Sequence, residues 1–547
     1  MKKVTSSFVV MLLVILTVKA ESSVAIRINS LGYPEKSVKR AVVLSSAESF
    51  KVINSKNGKV VLDGKLSDQV TQDDVGQSVR FADFSNLEKR GQYHIYVEGV
   101  EGAERSIDFE IGKNIYKPAY ILSMRAFYLW RCGIAVKTEY NGNIFSTEAC
   151  HLDDGWLDYI GSEGEKRDGT GGWHDAGDYG KYTVNAGITL GVLFYAWDHF
   201  GDKLKKISLN IPRTASGMPD FLQELKWETD FILKMQYQDG SGRVSHKLTR
   251  KEFSGFIMPQ EDKEKRYFTE WSSAATADFI AIMAMAARYF APYDAEYAKK
   301  CLAAAQVSYN FLSQSAQKNF IQGDFSTGGY QTTDADDRLW AAVEMWESTG
   351  NPQYLQDAES RIESLRTVVA EDWDWGSLSN MGVFTYALSE RSGKNPEIDS
   401  KVNEAIIKVA DKLVETAAKD IYSRALGGRY YWGCNGTVAR QAINLHVAEL
   451  LNGGTEYRKT IQGLVDHLFG YNYYGRSYVT GVGINPPLNP HDRRSAADGI
   501  EAPWPGYLVG GGHTATDWVD EEEDYARNEI AINWQAALVY LLASTLD

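Results

Sequence analysis

The sequence predicts a multidomain chain, with a small all-β sandwich over residues 21–112 and an all-α (α/α)6 barrel over residues 113–547. The β prediction rests on short segments in which apolar and polar residues alternate as far as residue 112. The helical prediction rests on the change of period after residue 113 and on the twelve candidate helices that follow. Twelve helices make six pairs, the number that closes such a barrel and leaves long loops at one end for a cleft.

Residues 1–20 are predicted to be an export signal that is removed from the mature protein. Lys2 and Lys3 precede an apolar run over residues 8–18, and Val18-Lys19-Ala20 is a small-x-small cleavage pattern. The apolar run is too short to span a membrane. We therefore expect a periplasmic or secreted protein.

The formal net charge of -14 narrows the class of partner. An acidic surface repels phosphate backbones and anionic lipids, so neither nucleic acid nor a membrane is expected to bind. A neutral polymer is a compatible partner for such an acidic surface. Aromatic residues make up 12% of the chain, which is enough to supply both a core and platforms for stacking sugars. We expect a monomer without an organic cofactor.

Alternating segments predict the strands of the first domain. They lie at residues 41–44, 60–62, 79–81 and 93–97, separated by turn residues. This spacing is typical of a β-sandwich. Because the segment contains no paired carboxylates and no cluster of metal ligands in its sequence, we expect it to pack against the rest of the chain.

Helical periodicity predicts the elements of the second domain. The candidate helices lie near residues 116–132, 183–199, 219–237, 272–290, 294–315, 335–349, 352–370, 378–391, 397–417, 437–452, 455–470 and 528–545. The composition does not change inside this region, so we treat it as one domain. The barrel alone does not name the chemistry, because several classes of sugar enzyme use it.

Two aspartates stand three residues apart among small residues. Asp175 and Asp178 face the same way if their turn is helix-like, and Ala176 and Gly177 let a bulky ligand approach the backbone. Such a pair can hold one water molecule. Hydrolysis of a glycosidic bond needs one carboxylate to deprotonate water and a distant acid to protonate the leaving oxygen. Taken alone, the pair also fits a calcium loop or a capped turn.

The flanking residues favour the hydrolase. The string GGWHDAGDYGKY, residues 171–182, closely resembles the catalytic signature of glycoside hydrolase family nine, the cellulase family of inverting β-1,4-glucanases. The string DYARNEIAINW, residues 524–534, resembles the closing motif of that family, in which the glutamate is the general acid. The resemblance implies that Asp178 is the general base, that Asp175 helps to hold the water and that Glu529 is the general acid.

The first domain carries a second resemblance. Residues 27–33 and 91–96 resemble the immunoglobulin-like module that precedes the catalytic domain in one subgroup of the family. The resemblance implies an immunoglobulin-like fold for residues 21–112 and covers, with the catalytic motifs, essentially the whole mature chain.

Glu529 is expected in the first turn of the last helix, where the helix dipole lowers a carboxyl pKa. A general acid must keep its proton near neutral pH, so burial or nearby negative charge has to outweigh the dipole. The acidic run over residues 520–524 would supply such charge if it pointed at Glu529. The alternative is a solvated acidic loop.

A proline-stiffened loop over residues 481–495 presents His491 and Arg493. In the family the matching histidine and arginine contact the sugar next to the scissile bond, so the resemblance assigns substrate binding to this pair. Many relatives read His-His-Arg where this chain has Asp492 in the middle. If the middle residue touches substrate, the difference alters a subsite preference and leaves the reaction unchanged.

Two thiolates and two imidazoles can form a closed tetrahedral zinc site, structural because no position is left for water. The candidate ligands are Cys132, Cys150, His151 and His174. The resemblance supports this set, since relatives with the immunoglobulin-like module carry it at similar spacing. The alternative is a disulfide between the two cysteines, which an exported protein can form. Two further cysteines, Cys301 and Cys434, are expected to be unpaired packing residues.

Calcium is the second predicted metal. Asp336 and Asp337 match a calcium-binding segment of the family, with Asp374 as a distant ligand. Clustered carboxylates at a helix start suit this ion. A pair of N-capping aspartates is the alternative.

Aromatic residues near the barrel mouth are expected to form sugar-stacking subsites. The candidates are Trp173, Trp373, Trp432, Trp504 and Tyr525. If they prove to be core residues, their replacement will destabilise the fold without changing the preference for chain length.

The sequence as a whole favours an exported, inverting hydrolase of β-1,4-linked glucan, endo-acting, with cellulose, xyloglucan and mixed-linkage glucan as candidate substrates. One alternative is an exo-acting β-glucosidase or β-glucosaminidase of the same family. Another is a glucan-binding protein without turnover, although a binder does not need all three carboxyl groups.

Overall fold

The computed structural model describes residues 25–99, 104–213 and 217–547, so the predicted export signal lies outside the described residues. Nine strands of the described residues build the first domain. They are β1 (Ile26–Arg27), β2 (Tyr33–Pro34), β3 (Arg40–Val43), β4 (Ser49–Asn54), β5 (Val60–Lys65), β6 (Val70–Gln72), β7 (Gln77–Asp83), β8 (Gly91–Tyr96) and β9 (Phe109–Gly112).

These strands form two sheets, with the orders β1-β3-β7-β6 and β2-β9-β8-β4-β5. Strand β2 pairs parallel with β9, whereas β8 pairs antiparallel with both β4 and β9. Alternate residues point into the space between the sheets, as Tyr93 and Ile95 of β8 do, and there they meet Phe50, Val52 and Phe109. The predicted β-sandwich is confirmed.

The second domain is helical, and its long helices lie close to the twelve predicted ranges. They are α1 (Lys117–Leu129), α2 (Thr183–Leu204), α3 (Asp220–Met235), α4 (Ser273–Phe290), α5 (Ala295–Leu312), α6 (Ala335–Thr349), α7 (Pro352–Ser364), α8 (Ser379–Leu388), α9 (Pro396–Lys419), α10 (Cys434–Asn452) and α11 (Thr455–Leu468), then two short helices, α12 (Arg493–Ala497) and α13 (Tyr525–Asn528), and finally α14 (Ile532–Ser544). Small sheets lie in the connections: the hairpin β10 (Val136–Tyr140) and β11 (Asn143–Thr147), and the three-stranded β12 (Lys181–Tyr182), β13 (Lys247–Thr249) and β14 (Tyr267–Phe268).

Six helices close into an inner ring, in which α2, α4, α6, α8, α10 and α14 each contact the next and α14 returns to α2. These helices are buried almost all round: in α14 every residue from Ile532 to Ala543 is buried. The other long helices lie outside and bury one stripe. In α9 the buried residues are spaced three or four apart, from Ile398 to Ala417. The (α/α)6 barrel is therefore confirmed. Among the described residues no helix is both long and apolar enough to cross a membrane.

The β-domain packs on the barrel through a mixed interface. Val42 and Val79 of the sandwich share an apolar cluster with Tyr422 and Tyr471 of the barrel. At its edge, Asn29 donates a hydrogen bond of 2.8 Å to the Asp466 carboxyl group. These contacts fix the sandwich to the α9–α11 side of the ring.

Candidate active site

The two aspartates lie on the DAGD turn, residues 175–178, which leads through β12 into α2. The segment before the turn is tied to α3 and to the end of α1. The backbone N–H of Trp173 donates to Glu228 at 2.5 Å, and its indole N–H donates to Glu224 at 2.9 Å. The backbone N–H of His174 donates to the Trp130 carbonyl at 2.9 Å. The turn is thus held from behind by buried groups.

Each carboxyl group of the turn has its own donors. Asp178 accepts on Oδ2 from the Gly180 backbone at 2.8 Å and from the Tyr182 hydroxyl at 2.9 Å. Asp175 accepts from the Asn185 amide at 2.8 Å and from the Tyr330 hydroxyl at 2.5 Å. Both side chains are therefore held in fixed orientations by hydrogen bonds.

Glu529, from the C-terminal part of the chain, lies beside the DAGD turn. Ala531 pairs with Ala176 in an antiparallel bridge, and the Ile532 N–H donates to the Asp175 carbonyl at 2.9 Å. Asp175, Asp178 and Glu529 consequently line one cleft of about 530 Å³. The structure brings the three predicted carboxyl groups together.

The expectation that Glu529 lies in the first turn of the last helix is wrong. Its backbone is extended, with φ -71° and ψ 159°, between α13 and α14. Helix α14 begins only at Ile532, because the preceding residues form bridges and hydrogen bonds with the DAGD turn and with residues 509–510. The helix-dipole argument for a lowered pKa therefore does not apply at this position.

Burial and neighbouring charge raise the pKa of Glu529 well above its ordinary value of 4.5. Burial is the larger cause, and the charge of Asp178 adds to it, against an opposing effect of Arg493. Burial and then the charge of Asp178 also raise the pKa of Asp175. A carboxyl group with a raised pKa keeps its proton at a pH where an exposed glutamate has lost it.

The acidic run over residues 520–524 acts on the His491 loop instead of on Glu529. The Asp520 carboxylate accepts from the backbone of Leu488 and Asn489 and from Arg476, at 2.8 to 3.1 Å. The Glu522 carbonyl accepts from His491 Nδ1 at 2.7 Å. The run therefore shapes the loop that approaches the DAGD turn.

Arg493 and His491 lie against the turn, just outside the residues that line the cleft. Arg493 donates to the Gly177 carbonyl at 2.8 Å. Gly177 has to be glycine, because a Cβ there would lie 2.1 Å from the His491 carbonyl oxygen. Asp492 is buried and pairs with Arg494 at 3.0 Å. Asp492 is 1% exposed and is not among the residues that line the cleft.

The aromatic candidates divide into two groups. Trp432 lines the cleft, is 44% exposed and packs edge-on against Tyr525 at 5.3 Å between ring centroids. Trp373 borders the same cleft but is only 2% exposed, so it offers little surface for stacking. The expectation for Trp173 and Trp504 is wrong, because they are 1% and 0% exposed. A sugar cannot stack on a ring that is covered on both faces.

Sequence reasoning missed most of the cleft wall. Besides the candidates, the cleft is lined by aromatic residues on six separate segments: Tyr182, Phe253, Tyr330, Trp375, Tyr431 and Trp534. Trp534 stands in the closing motif and Tyr182 in the opening one, so their position was available in the sequence. The others follow no motif that distinguishes them from core aromatics.

The four predicted zinc ligands form one buried group, in which the donor atoms all lie within 4.8 Å of one another. Among the described residues, no other group of three or more His, Cys, Asp or Glu residues meets this distance. Cys132 Sγ lies 3.6 Å from His151 Nδ1, Cys150 Sγ 3.7 Å from His174 Nε2, and the two nitrogens 3.4 Å apart. Four donors around one tetrahedral zinc ion lie about 3.3 to 3.8 Å from one another. His151 also approaches Asp262 with its other nitrogen, at 3.4 Å. All four cysteines are free, which excludes the disulfide in this structure.

The calcium candidates do not gather in the same way. Asp374 accepts from Arg440 and Asn533 at 2.7 Å each, beside the cleft. Asp336 accepts from the Leu378 backbone at 2.5 Å, and Asp337 is fully buried. The three carboxylates form no group within 4.8 Å among the described residues, so calcium stays a prediction.

A helical barrel that joins three carboxyl groups in one aromatic-lined cleft, with raised pKa values on two of them, has the arrangement that a glycoside hydrolase requires. Comparison with known proteins narrows the class. A family description for "Glycosyl hydrolase family 9" matches residues 116–542, and one for "Cellulase N-terminal ig-like domain" matches residues 21–102. The chain belongs to glycosyl hydrolase family 9 and carries the immunoglobulin-like domain of that family.

Individual relatives are similar to this chain over nearly all of its length. Endoglucanase D of Acetivibrio thermocellus is 50% identical over 525 residues, covering 95% of this chain and 83% of the relative. A xyloglucan-specific endo-beta-1,4-glucanase of Bacteroides ovatus is 33% identical over 562 residues, covering 96% and 94%. Among solved structures, Bacteroides ovatus GH9 has a TM-score of 0.87 at 32% identity, covering 95% and 98% of the two chains.

Proposed function

We propose that this chain is an exported, inverting endo-β-1,4-glucanase. The observation that carries the proposal is the meeting of Asp178, Asp175 and Glu529 in one cleft with aromatic walls. A neutral glucan suits the net charge of -14, since the surface does not have to attract an anion. Export rests on the signal-like pattern of residues 1–20.

In this proposal Asp178 is the general base. Both of its hydrogen bonds go to Oδ2, so Oδ1 is the oxygen that takes the proton from water. Asp175, with donors on both oxygens, helps to orient that water. Glu529 donates its proton to the leaving oxygen, and its raised pKa supports that role.

The same proposal assigns a structural zinc ion to Cys132, Cys150, His151 and His174. The spacing of their donor atoms fits a tetrahedral ion, and four protein ligands leave no position for a reacting water. When bound, the ion would supply rigidity to the segment that carries Asp175, and no step of the hydrolysis passes through it.

Endo action is favoured by the names of both relatives described above, which are endoglucanases. A time course on soluble mixed-linkage glucan and on xyloglucan tests it. Oligomers of scattered length and an early loss of viscosity are expected. A single sugar released from the first minute would contradict endo action and support the exo alternative.

A further inference from the structure

Lys247, on β13, is a buried lysine whose neighbours are neutral. Its side chain is 0% exposed, and its ammonium group donates to Gln322 at 2.8 Å, to the Thr327 hydroxyl at 3.1 Å and to the Gly328 carbonyl at 2.9 Å. The negative charge that acts on it is that of Asp178. Burying a cation without a carboxylate in contact is costly, so a lysine at this place calls for an explanation.

Two of these three acceptors, Thr327 and Gly328, belong to the glycine loop, residues 327–330, which also contacts the DAGD turn. The Gly328 backbone N–H donates to the Tyr182 hydroxyl at 3.1 Å, and that hydroxyl donates to Asp178 at 2.9 Å. At the end of the loop, the Tyr330 hydroxyl donates to Asp175 at 2.5 Å. One short loop therefore orients both aspartates.

The glycine loop needs an anchor. Tyr330 has a φ of +40°, which an aromatic residue rarely adopts, and a Cβ on Gly328 would lie 3.0 Å from the Tyr182 ring. His246, just before β13, and Lys247, the first residue of β13, supply the anchor. His246 donates from Nε2 to the Gly329 carbonyl at 2.7 Å, and Lys247 holds Gly328 and Thr327.

We propose that Lys247 is a positioning residue for the reaction: through the glycine loop and Tyr182 it fixes the orientation of Asp178. The inference rests on the proposed function, in which Asp178 is the general base. The ammonium also donates to the Thr327 carbonyl at 3.4 Å, and this carbonyl shares a peptide unit with the Gly328 N–H. Hydrogen bonds therefore run from the ammonium through that peptide to Tyr182 and the carboxylate, and the members of such chains strengthen one another.

Other groups also act on Asp178, and the test has to separate them. The titratable groups whose charges or hydrogen bonds couple to it are Asp175, Tyr182, Lys247, His491 and Glu529. Arg250 and Arg266 line a small cavity with Asp178, and Arg493 donates to the neighbouring Gly177 carbonyl, but arginines stay charged throughout the pH range of the test. Of the groups that titrate in that range, Lys247 and His491 can carry a positive charge. Burial lowers the pKa of His491 below its ordinary value and the pKa of Lys247 to about 7, although the charge of Asp178 opposes the lowering at Lys247. Below about pH 7, where the acidic limb lies, Lys247 is therefore the titrating group expected to act on the base as a cation.

Lys247→Met is the principal variant. The substitution removes the attraction between the Lys247 ammonium and the Asp178 carboxylate. The acidic limb of the kcat/KM profile should therefore move up by about one pH unit. We expect kcat to fall about ten-fold or more, with KM within about three-fold, because the glycine loop no longer fixes the base. Lys247→Arg retains a positive charge, so its acidic limb should lie at the same pH as that of the wild type.

A second variant covers the case in which Lys247→Met folds poorly. Gln322→Glu places a carboxylate against the ammonium from the outer side, cancels its charge at the base and should move the limb in the same direction. Lys251→Met, at a lysine that is about half exposed and follows β13, is the matched control and should leave the profile unchanged. If the acidic limb of the kcat/KM profile stays at its wild-type pH in both Lys247→Met and Gln322→Glu, the inference is wrong.

Asp178→Asn separates this inference from the proposed function. If Asp178→Asn is inactive while Lys247→Met has the wild-type profile, the role of Lys247 is wrong and the assignment of the base stands. If Asp178→Asn retains full activity, the assignment of the base is wrong, and the role of Lys247 is wrong with it.

Discussion

At the scale of single residues, the contrast between Asp178 and Glu529 decides the chemistry. Asp178 receives two hydrogen bonds on one oxygen, from Gly180 and Tyr182. Burial is the main cause of the raised pKa of Glu529, and the charges of Asp178 and Asp175 add to it against the opposing effect of Arg493. Two carboxyl groups in such different surroundings can act as base and acid in one cycle.

Glu529→Gln should lower kcat on cello-oligosaccharides by about 10² to 10⁴-fold, because the leaving oxygen receives no proton. The loss should be much smaller on an aryl cellobioside with a good leaving group. The wild-type rate should fall as pH rises through the raised pKa of Glu529, since the deprotonated acid is inactive. This alkaline limb should be absent from the variant.

The test is to measure kcat of the wild type and of Glu529→Gln on both substrates across a range of pH. Glu522→Gln is a matched control, because only the backbone carbonyl of Glu522 contacts His491. An equal loss on both substrates, or an alkaline limb that survives in Glu529→Gln, would contradict the role of the acid.

The catalytic carboxyl groups could be predicted from the sequence, but the residues that hydrogen-bond to them could not. Asp175, Asp178 and Glu529 stand in motifs that resemble a known family, so their roles could be predicted. Tyr330 contacts Asp175 across 155 positions, and nothing near Tyr330 in the sequence indicates that contact. Burial explains the wrong aromatic candidates: Trp173 stands inside the motif, yet its ring is part of the core.

At the scale of elements, the zinc group joins three segments that the chain visits separately. Cys132 follows α1, Cys150 and His151 follow β11, and His174 directly precedes Asp175. A metal ion here would couple the end of α1 and the hairpin to the DAGD turn.

Removal of zinc is therefore expected to affect both stability and catalysis. Elemental analysis should find about one zinc ion per chain. A strong chelator should lower Tm, and it should also lower kcat by about ten-fold or more, because the turn loosens at His174. Cys150→Ser should reproduce both effects.

Cys301→Ser is the control for that experiment, since Cys301 is a buried free cysteine outside the group. It should retain the zinc ion. A purified protein without zinc and with Cys132 crosslinked to Cys150 would contradict the metal site.

Element boundaries show what periodicity can predict. Helix α9 was predicted within one or two residues at each end, because its apolar stripe repeats cleanly on one face. The start of α14 was placed four residues too early. Residues 529–531 look helical in isolation, but bridges to the DAGD turn and to Val509 hold them extended. Tertiary pairing of that kind leaves no local signal.

At the scale of the whole molecule, the β-domain and the barrel meet around a buried carboxyl group. Asp466 of α11 accepts from Asn29 of the sandwich and from Gln462, at 2.8 Å each. Burial raises its pKa to about 7, more than these hydrogen bonds lower it. The interface therefore favours the protonated form.

The sign of the resulting pH dependence follows from linkage. Between about pH 4 and pH 7 the native carboxyl keeps a proton that the unfolded chain has lost, so the free energy of unfolding falls as pH rises. The difference between a pKa of about 7 and the ordinary value of 3.8 corresponds to at most about 4 kcal/mol. Asp466→Asn should remove this part of the decline.

Thermal unfolding of the wild type and of Asp466→Asn at pH 4, 5.5 and 7 measures the effect. Asp68→Asn, at an exposed aspartate of the same β-domain, should follow the wild type. If Asp466→Asn and the wild type lose Tm in parallel over this range, Asp466 is not the titrating group at the interface.

The stereochemistry of the product tests the central claim most directly. If Asp178 activates a water molecule on one face of the sugar while Glu529 protonates the leaving oxygen on the other, the water has to fit between them, at about 6.5 to 9.5 Å between the carboxyl groups. The configuration at the anomeric carbon is then inverted. Proton NMR of freshly cleaved β-1,4-glucan oligosaccharide should show the α-anomer first, before mutarotation. A β-anomer appearing first would contradict the inverting mechanism and the role of Asp178 as the base.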